Sequence, residues 1–355
     1  MNNLKKLGVS ALAGSLIAVS AQAGEMSVNG SANFTYKTKS DNPGKGIGTD
    51  KGLTVSGSGE LDNGWTFSLF TTFSDALGLT SHATSLTMGS LGTITAGAGW
   101  GGNSGGFDEE VPQAYEQVSD VHALGSANLV GSVMDNGGLT WAVPSFDLGG
   151  ASASLVLGWS PNAEDAVTGN GSVGTHVTSY GDGLDAGLTI TTDMGLKVGV
   201  YAMTRENNKT TAAGVDAVSD EFNGTWYAKY SAGPVSIGYS YAYVDGGLAG
   251  AAEAVSAAKV VRTAAGIFEE TQVSIAFNVN DNVSISYTES EDNYNAQDDA
   301  ATAVADQSMD SEALQIAYSM GGMSVKAYQI ETNNQAYDSD AVKLTATEIS
   351  IGLAF

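Results

Sequence analysis

The stretch Val235-Ser-Ile-Gly-Tyr-Ser-Tyr-Ala-Tyr243 decides the fold. Every odd position in it is large and apolar or aromatic, and every even one is small. Successive side chains of a strand point to opposite faces, so this segment has one greasy face and one small or polar face. The same period of two recurs along the chain. Trp65, Phe67, Leu69, Thr71 and Phe73 stand against Thr66, Ser68, Phe70 and Thr72. Val273, Ile275, Phe277 and Val279 repeat it, as do Val283, Ile285 and Tyr287. At the end, Ile349, Ile351, Leu353 and Phe355 share one face, opposite Glu348, Ser350, Gly352 and Ala354.

A soluble sandwich also alternates, so the connections have to separate the classes. Tight Gly, Asn and Asp turns recur at Asp62-Asn63-Gly64, Ser90-Leu91-Gly92, Leu148-Gly149-Gly150, Asp193-Met194-Gly195, Ala232-Gly233-Pro234, Asn280-Asp281-Asn282 and Gly321-Gly322. These have hairpin character. Between them lie longer polar stretches near 40–50, 76–83, 99–137, 160–180, 206–219, 245–265, 290–310 and 333–341. Seven turns and eight loops alternate strictly, which predicts sixteen strands. Strands near 84–89, 93–98 and 138–144 are weakly patterned, and Val325 to Ile330 alternates ambiguously; one misread hairpin would make the count fourteen. An even strand number with short turns at one end and long loops at the other is the pattern of an all-β transmembrane antiparallel barrel. Ala-rich residues 251–265 read as a short helix within a loop.

Composition agrees. Hydrophobic residues make up 42% and charged residues only 15%, with 46 Gly, 5 Pro and no cysteine. Soluble domains carry about 25% charged residues. No long apolar run compensates here, so apolar and small residues must alternate across a membrane-facing wall. Residues 1–23 read as a secretory signal: Lys5 and Lys6, an apolar stretch from Leu7 to Val19, then Ala21-Gln22-Ala23 before Gly24. That leaves 24–355 as one barrel domain. The formal charge of −25 excludes phosphate-facing binding of nucleic acid and favours cations. In hydrocarbon every backbone N–H and C=O needs an internal partner, so the last strand must pair with the first, near Glu25 to Lys39. Trp65, Trp159, Trp226, Tyr230, Tyr243, Tyr287 and Phe355 read as interfacial aromatic girdles.

Three segments resemble the Gram-negative general porin superfamily, most closely its alphaproteobacterial (Rhodobacter-like) branch: residues 53–67 (LTVSGSGELDNGWTF), residues 85–97 (SLTMGSLGTITAG) and the closing ISIGLAF of 349–355. The resemblance spans the chain beyond residue 23. It implies a sixteen-stranded homotrimer of separate pores in the outer membrane, passing small hydrophilic solutes and ions, with the third loop, 99–137, folded into the lumen. It further implies that Ile349, Ile351, Leu353 and Phe355 are read by the barrel-assembly machinery. Asp108, Glu109, Glu110, Glu116 and Asp120 on that loop are the acidic constriction candidates. Alternation turns Lys37, Lys39, Lys197, Arg205 and Lys229 toward the lumen as the basic wall. Members of the family usually carry an arginine cluster there. This chain has only Arg205 and Arg262, the latter in a predicted outer loop, which weakens the expected transverse field.

No organic cofactor is expected. Gly97-Ala-Gly99-Trp-Gly-Gly102 matches G-x-G-x-x-G, but loop residues follow it where a dinucleotide site needs a helix. Carboxylates supply the hard oxygens that calcium prefers, so structural Ca²⁺ near Asp108, Glu109 and Glu110, or near Glu289, Glu291, Asp292, Asp298 and Asp299, is the metal expectation. His82, His122 and His176 fall in predicted loops without H-x-x-x-H spacing, and nothing points to a nucleophile–base pair. A passive channel with a cation preference is the leading functional expectation. A substrate-specific channel and a surface adhesin or structural barrel are the alternatives.

Overall fold

The computed structural model describes residues 24–40, 45–99, 101–121, 130, 133, 137–163, 180–208, 215–217, 219–250, 255–256, 259–260, 267–295 and 306–354. The predicted signal segment, Phe355, Arg262, His122, His176, Asp298 and Asp299 lie outside those residues. The barrel strands are β1 (Glu25–Lys39), β2 (Lys45–Glu60), β3 (Thr66–Phe73), β4 (Leu79–Thr87), β5 (Thr93–Ala98) and β6 (Gly138–Ala142). They continue with β7 (Ala151–Ser160), β8 (Tyr180–Thr192), β9 (Leu196–Asn207), β10 (Glu221–Ala232) and β11 (Val235–Asp245). The circuit ends with β12 (Ile267–Asn280), β13 (Val283–Asn295), β14 (Gln307–Met320), β15 (Met323–Asn333) and β16 (Leu344–Ala354).

Each strand pairs antiparallel with the next, and β16 returns to β1, so the sheet has no free edge. The closing register puts Phe34 opposite Ile351 and Tyr36 opposite Ile349. Sixteen walls are present, as the alternation of turns and loops requires. A two-residue segment, Phe146–Asp147, pairs beside β6 on the same flank of β7. It is the end of the β6 wall, cut off where Pro144 has no N–H to give the ladder. Val143 still donates to the Leu155 carbonyl at 3.0 Å across the break.

The burial pattern is inverted relative to a soluble protein. Phe34, Trp226, Val273, Ile275, Leu314 and Ile316 are exposed on the outer face, whereas Ser240, Ser274, Thr288, Ser311 and Ser350 are buried on the inner one. A period of two explains this directly, since one face of the closed barrel points outward and the other into the interior. Trp226 packs on Tyr239 with ring centroids 5.0 Å apart, and Phe222 on Tyr243 at 6.1 Å.

Several sequence expectations need correcting. The first long loop is short, because β2 already begins at Lys45. Likewise β13 runs to Asn295 and β14 starts at Gln307, so polar residues read as loop are strand. Polar residues at strand ends pair as well as apolar ones once the neighbouring strand supplies a register. His82 sits on β4, opposite Thr71 and Ala98, and not in a loop. Within 251–265, the described residues pair Val255–Ser256 with Lys259–Val260 as a small hairpin in place of the expected helix. Alanine propensity alone does not nucleate so short a helix, and β-branched Val255 and Val260 favour the ladder. A further two-stranded piece pairs 215–217 with 248–250 beyond the long-loop rim.

Candidate pore constriction

After β5 the chain turns inward on glycine. Gly99 has φ +65°, and a Cβ there would lie 2.4 Å from the Thr80 carbonyl oxygen. Only glycine accepts that conformation and that approach at once. Gly101 (φ +78°) and Gly102 (φ +54°) continue the turn, and the segment from Asn103 onward runs along the inner face of the wall.

Two apolar seats hold the segment. At the first, Phe107 stacks on Tyr201 with centroids 5.4 Å apart and tilts against Tyr227 at 6.3 Å. Inner-wall glycines make room: a Cβ on Gly187 would meet the Phe107 ring at 2.4 Å, and one on Gly238 would meet Pro112 at 2.3 Å. Asn103 Nδ2 donates to Asp185 Oδ1 at 2.6 Å, and Tyr201 donates to Asp185 Oδ2 at 3.1 Å. At the second seat, Val118 and Tyr115 pack with Tyr328, Ile330, Leu344 and Ala346. Backbone N–H groups between the seats are satisfied by the wall: Ala114 by Ser286 Oγ at 2.9 Å and Tyr115 by Gln315 Oε1 at 2.7 Å.

The predicted acidic residues are thereby given separate partners. Asp108 accepts from the Val130 N–H at 3.0 Å, and burial, with Glu109 beside it, holds its carboxyl well above the usual aspartate range. Glu109 is buried at φ +46° and accepts from Ser119 Oγ at 2.8 Å and Gln272 Nε2 at 2.7 Å. The same Gln272 amide donates to Glu270 at 2.6 Å. Glu110 forms an ion pair with Lys229. Glu116 offers its carbonyl oxygen to Gln315. Asp120 lies in the 3-10 turn Val118–Val121. Asp108, Glu109 and Glu110 thus each turn to a different partner. Among the described residues no group of three or more carboxylates or imidazoles could hold a metal ion.

The basic candidates also stand inward, dispersed around the wall. Lys37 pairs with Glu348 at 3.1 Å, and Glu348 accepts from Tyr115 at 2.7 Å and Tyr328 at 3.1 Å. This ties β1, β15, β16 and the inserted segment into one polar node. Burial, followed among the raising influences by the Glu348 carboxylate, pushes the Tyr115 hydroxyl above the ordinary tyrosine range. Arg205 pairs with Glu221 at 2.8 Å and lies 3.6 Å from the Tyr180 ring. Lys197 and Lys229 both lie over Tyr227. Lys39 follows Lys37 on the same face of β1. Sequence reading missed Lys326, which stands 5.1 Å over the Tyr115 ring. Its strand turns Tyr328 and Ile330 inward too, so greasy residues on the lumen side hid the alternation; counting from the Gly321-Gly322 turn would have recovered it.

The described contacts of the inserted segment fall on the wall from β7 to β16, and the inner faces of β1–β5 carry hydroxyl pairs. Ser27 bonds Ser56 at 2.7 Å, Thr54 bonds Thr72 at 3.1 Å, Ser85 bonds Thr95 at 2.8 Å and Thr87 bonds Thr93 at 2.9 Å. The inward positions of β3–β6 carry no ionisable side chain. The inner face of β3–β6 is therefore neutral and hydrogen-bonding, while β1 and β2 add Glu25, Lys37, Lys39, Asp50 and Glu60 to the inward positions.

No protein-family model matches the chain, and no curated protein matches it either. Solved structures do. A loop-L8 deletion mutant of OmpT, an outer membrane protein of Vibrio cholerae, superposes with TM-score 0.62 at 14% identity over 94% of this chain and 100% of that one. An anion-selective porin from Comamonas acidovorans gives TM-score 0.60 at 12% identity, covering 94% and 100%. A triple mutant of the Rh. blastica porin gives 0.52 at 15% identity, covering 93% and 100%. At these identities the likeness is one of fold.

Proposed function

We propose that this chain is an outer-membrane porin: a water-filled barrel through which small hydrophilic solutes and ions diffuse passively. The observation that carries this reading is the hydroxyl-lined inner face of β3–β5, lying opposite a segment fixed inside a closed barrel. Sixteen strands enclose an interior wide enough for water. Serine and threonine on β3–β5 keep that water hydrogen-bonded without a fixed charge on those strands. The net charge of −25 enriches cations near the pore mouths and favours their passage. We further propose export through a leader cleaved near Ala23 and Gly24, insertion by the barrel-assembly machinery, a lipid-facing belt and a homotrimer. The Rhodobacter-like branch is part of the same reading and rests on the segments at 53–67, 85–97 and 349–355.

A planar-bilayer recording of the refolded chain under a salt gradient tests it. The expected result is stepwise conductance with a reversal potential directed toward cations. A folded, inserted barrel that passes no current would overturn the channel reading and favour an adhesin. The hydroxyl ladders support one second reading, a channel preferring neutral polyhydroxylated solutes; saturable block by a polyol, absent with simple salts, would select it.

A further inference from the structure

Aromatic rings turned into the lumen are met by other parts of this chain. Tyr201 and Tyr227 receive Phe107, with ring centroids 5.4 and 6.3 Å away. Tyr328 receives Tyr115 at 5.7 Å, while Phe268 and Tyr294 receive Tyr337 at 5.7 and 5.8 Å. The guanidinium of Arg205 lies on Tyr180. Phe70 of β3 is different. It stands inward, opposite Ser56 of β2 and Ala83 of β4. No ring or cation among the described residues reaches it. Its ring stays half-buried where Tyr201, Tyr227, Phe268, Tyr294 and Tyr328 are buried. Leaving an aromatic face to water forgoes the stabilisation that its burial brings. Nor does the ring fill a gap in the wall. Beyond it in the same cross-strand row come Ala83, Gly97 and Gly138, so the surface beside it stays low.

What surrounds the ring is polar and ordered in rows. Successive inward residues of one strand lie about 6.5 Å apart. One such step toward the short-turn end is Ser68, opposite Ser58, which is itself opposite Glu25. One step the other way is Thr72, whose hydroxyl bonds that of Thr54 at 3.1 Å. In the row of Phe70 itself, Ser56 bonds Ser27 at 2.7 Å. Glu25, Ser27, Ser56, Ser58, Ser68 and Phe70 line one cavity of about 590 Å³. Sites for small molecules commonly measure about 300–1,000 Å³ and pair an apolar surface with a few placed polar groups. The exposed Glu25 carboxylate accepts hydrogen bonds only, whereas the serines both donate and accept.

We infer that this cavity is a subsite for a pyranose ring. A pyranose presents a face of C–H groups and a rim of hydroxyls. The face stacks on Phe70, the rim meets the serine rows, and two adjacent hydroxyls donate to Glu25. An acyclic polyol carries the hydroxyls without the flat apolar face, and a simple ion has no use for the ring. The neutral inner face of β3–β5 runs up to the same cavity. The inference rests on the channel reading above and names the solute class that this part of the lumen holds.

The refolded full chain in a planar bilayer is titrated with D-glucose and with sorbitol, which differ in ring closure. Glucose is expected to reduce the ion current saturably, and sorbitol at equal concentration is not. Phe70→Ser should weaken the glucose effect about tenfold. Phe70→Leu, apolar but without a flat face, should weaken it as well, Glu25→Gln should weaken it less, and Phe70→Tyr should keep it. A second readout needs no current: saturation-transfer NMR on the barrel in a non-glycosidic detergent should mark the C–H protons of glucose, and Phe70→Ser should lose that signal. Conducting barrels that glucose and sorbitol affect alike, or whose Phe70→Ser and Phe70→Leu variants respond as the unsubstituted chain does, overturn the subsite and leave the channel reading intact. A barrel that passes no current but still transfers saturation to glucose through Phe70 overturns the channel reading and leaves the subsite standing.

Discussion

Lys197 of β9 and Lys229 of β10 stand directly opposite each other across the ladder, both turned into the lumen and both over the ring of Tyr227, at 5.4 and 5.3 Å from its centroid. Two opposed cations repel. Glu110, delivered by the inserted segment, neutralises Lys229, while Lys197 has no acidic partner among the described residues. The local sign of the lumen therefore turns on one loop carboxylate.

On the proposed channel function, Glu110→Gln should shift relative permeability away from cations. A permeating ion passing about 6 Å from the uncovered ammonium feels about 0.7 kcal/mol in water, roughly a threefold change in relative permeability. Lys229→Gln should move selectivity the other way by a similar factor. Reversal potentials under a salt gradient measure both, and no change in either variant would remove this pair from the ion path.

Phe107→Ala should unseat the inserted segment. Truncating a buried phenylalanine costs about 3–5 kcal/mol, here charged to the docking of one segment and not to the barrel wall. The expected outcome is larger single-channel conductance and protease cleavage within 101–121, with the barrel's own resistance to denaturant nearly unchanged.

Tyr115→Phe removes one bond to the Glu348 carboxylate, while Tyr328 and Lys37 still hold that group. A hydrogen bond to a charged partner contributes about 1.5–3 kcal/mol, so docking should weaken by less than in Phe107→Ala. Current noise should rise while mean conductance changes little.

Asp108 ties docking to pH. Its carboxyl is raised by burial first and by Glu109 second, so the docked segment prefers the protonated form. That preference is complete below the ordinary aspartate value of 3.8, declines as pH rises above it, and is lost once pH passes through the raised value. Proteolysis of the segment should accelerate over that rise. Asp108→Asn should flatten the profile, and an unchanged slope in that variant would count against the assignment.

Gly99→Ala should disturb entry of the segment, because the added carbon meets the Thr80 carbonyl oxygen at 2.4 Å and the backbone stays at positive φ. Strain of about 1–3 kcal/mol is expected at such a position. Gly105→Ala, where a Cβ meets nothing, is the control. Protease susceptibility of 101–121 compares the two.

Much of the candidate site was legible as residue types and little of it as pairs. Lys37, Lys197, Arg205 and Lys229 face inward as alternation requires, since a period of two follows from backbone geometry and is written residue by residue. Lys326 was hidden because Tyr328 and Ile330 reverse the usual polarity of their strand, and they do so to receive Tyr115 and Val118 from a segment some two hundred positions away. The same distance hid the fate of the acidic residues. Asp108, Glu109 and Glu110 look like one cluster in sequence, yet each meets a different partner: Val130, Gln272 and Lys229.

By itself the sequence determined the wall: alternation gives each strand two faces, turns and loops count sixteen strands, and unsatisfied backbone groups force Ile349 and Ile351 back against Tyr36 and Phe34. Those are local rules applied repeatedly, so they survive being read one segment at a time. Only the tertiary structure decided which half of the lumen the inserted segment covers, which carboxylate meets which cation, and that the inward ring of Phe70 is met by no other ring or cation among the described residues. Each of these depends on register between distant strands, where a shift of one residue would exchange inside for outside.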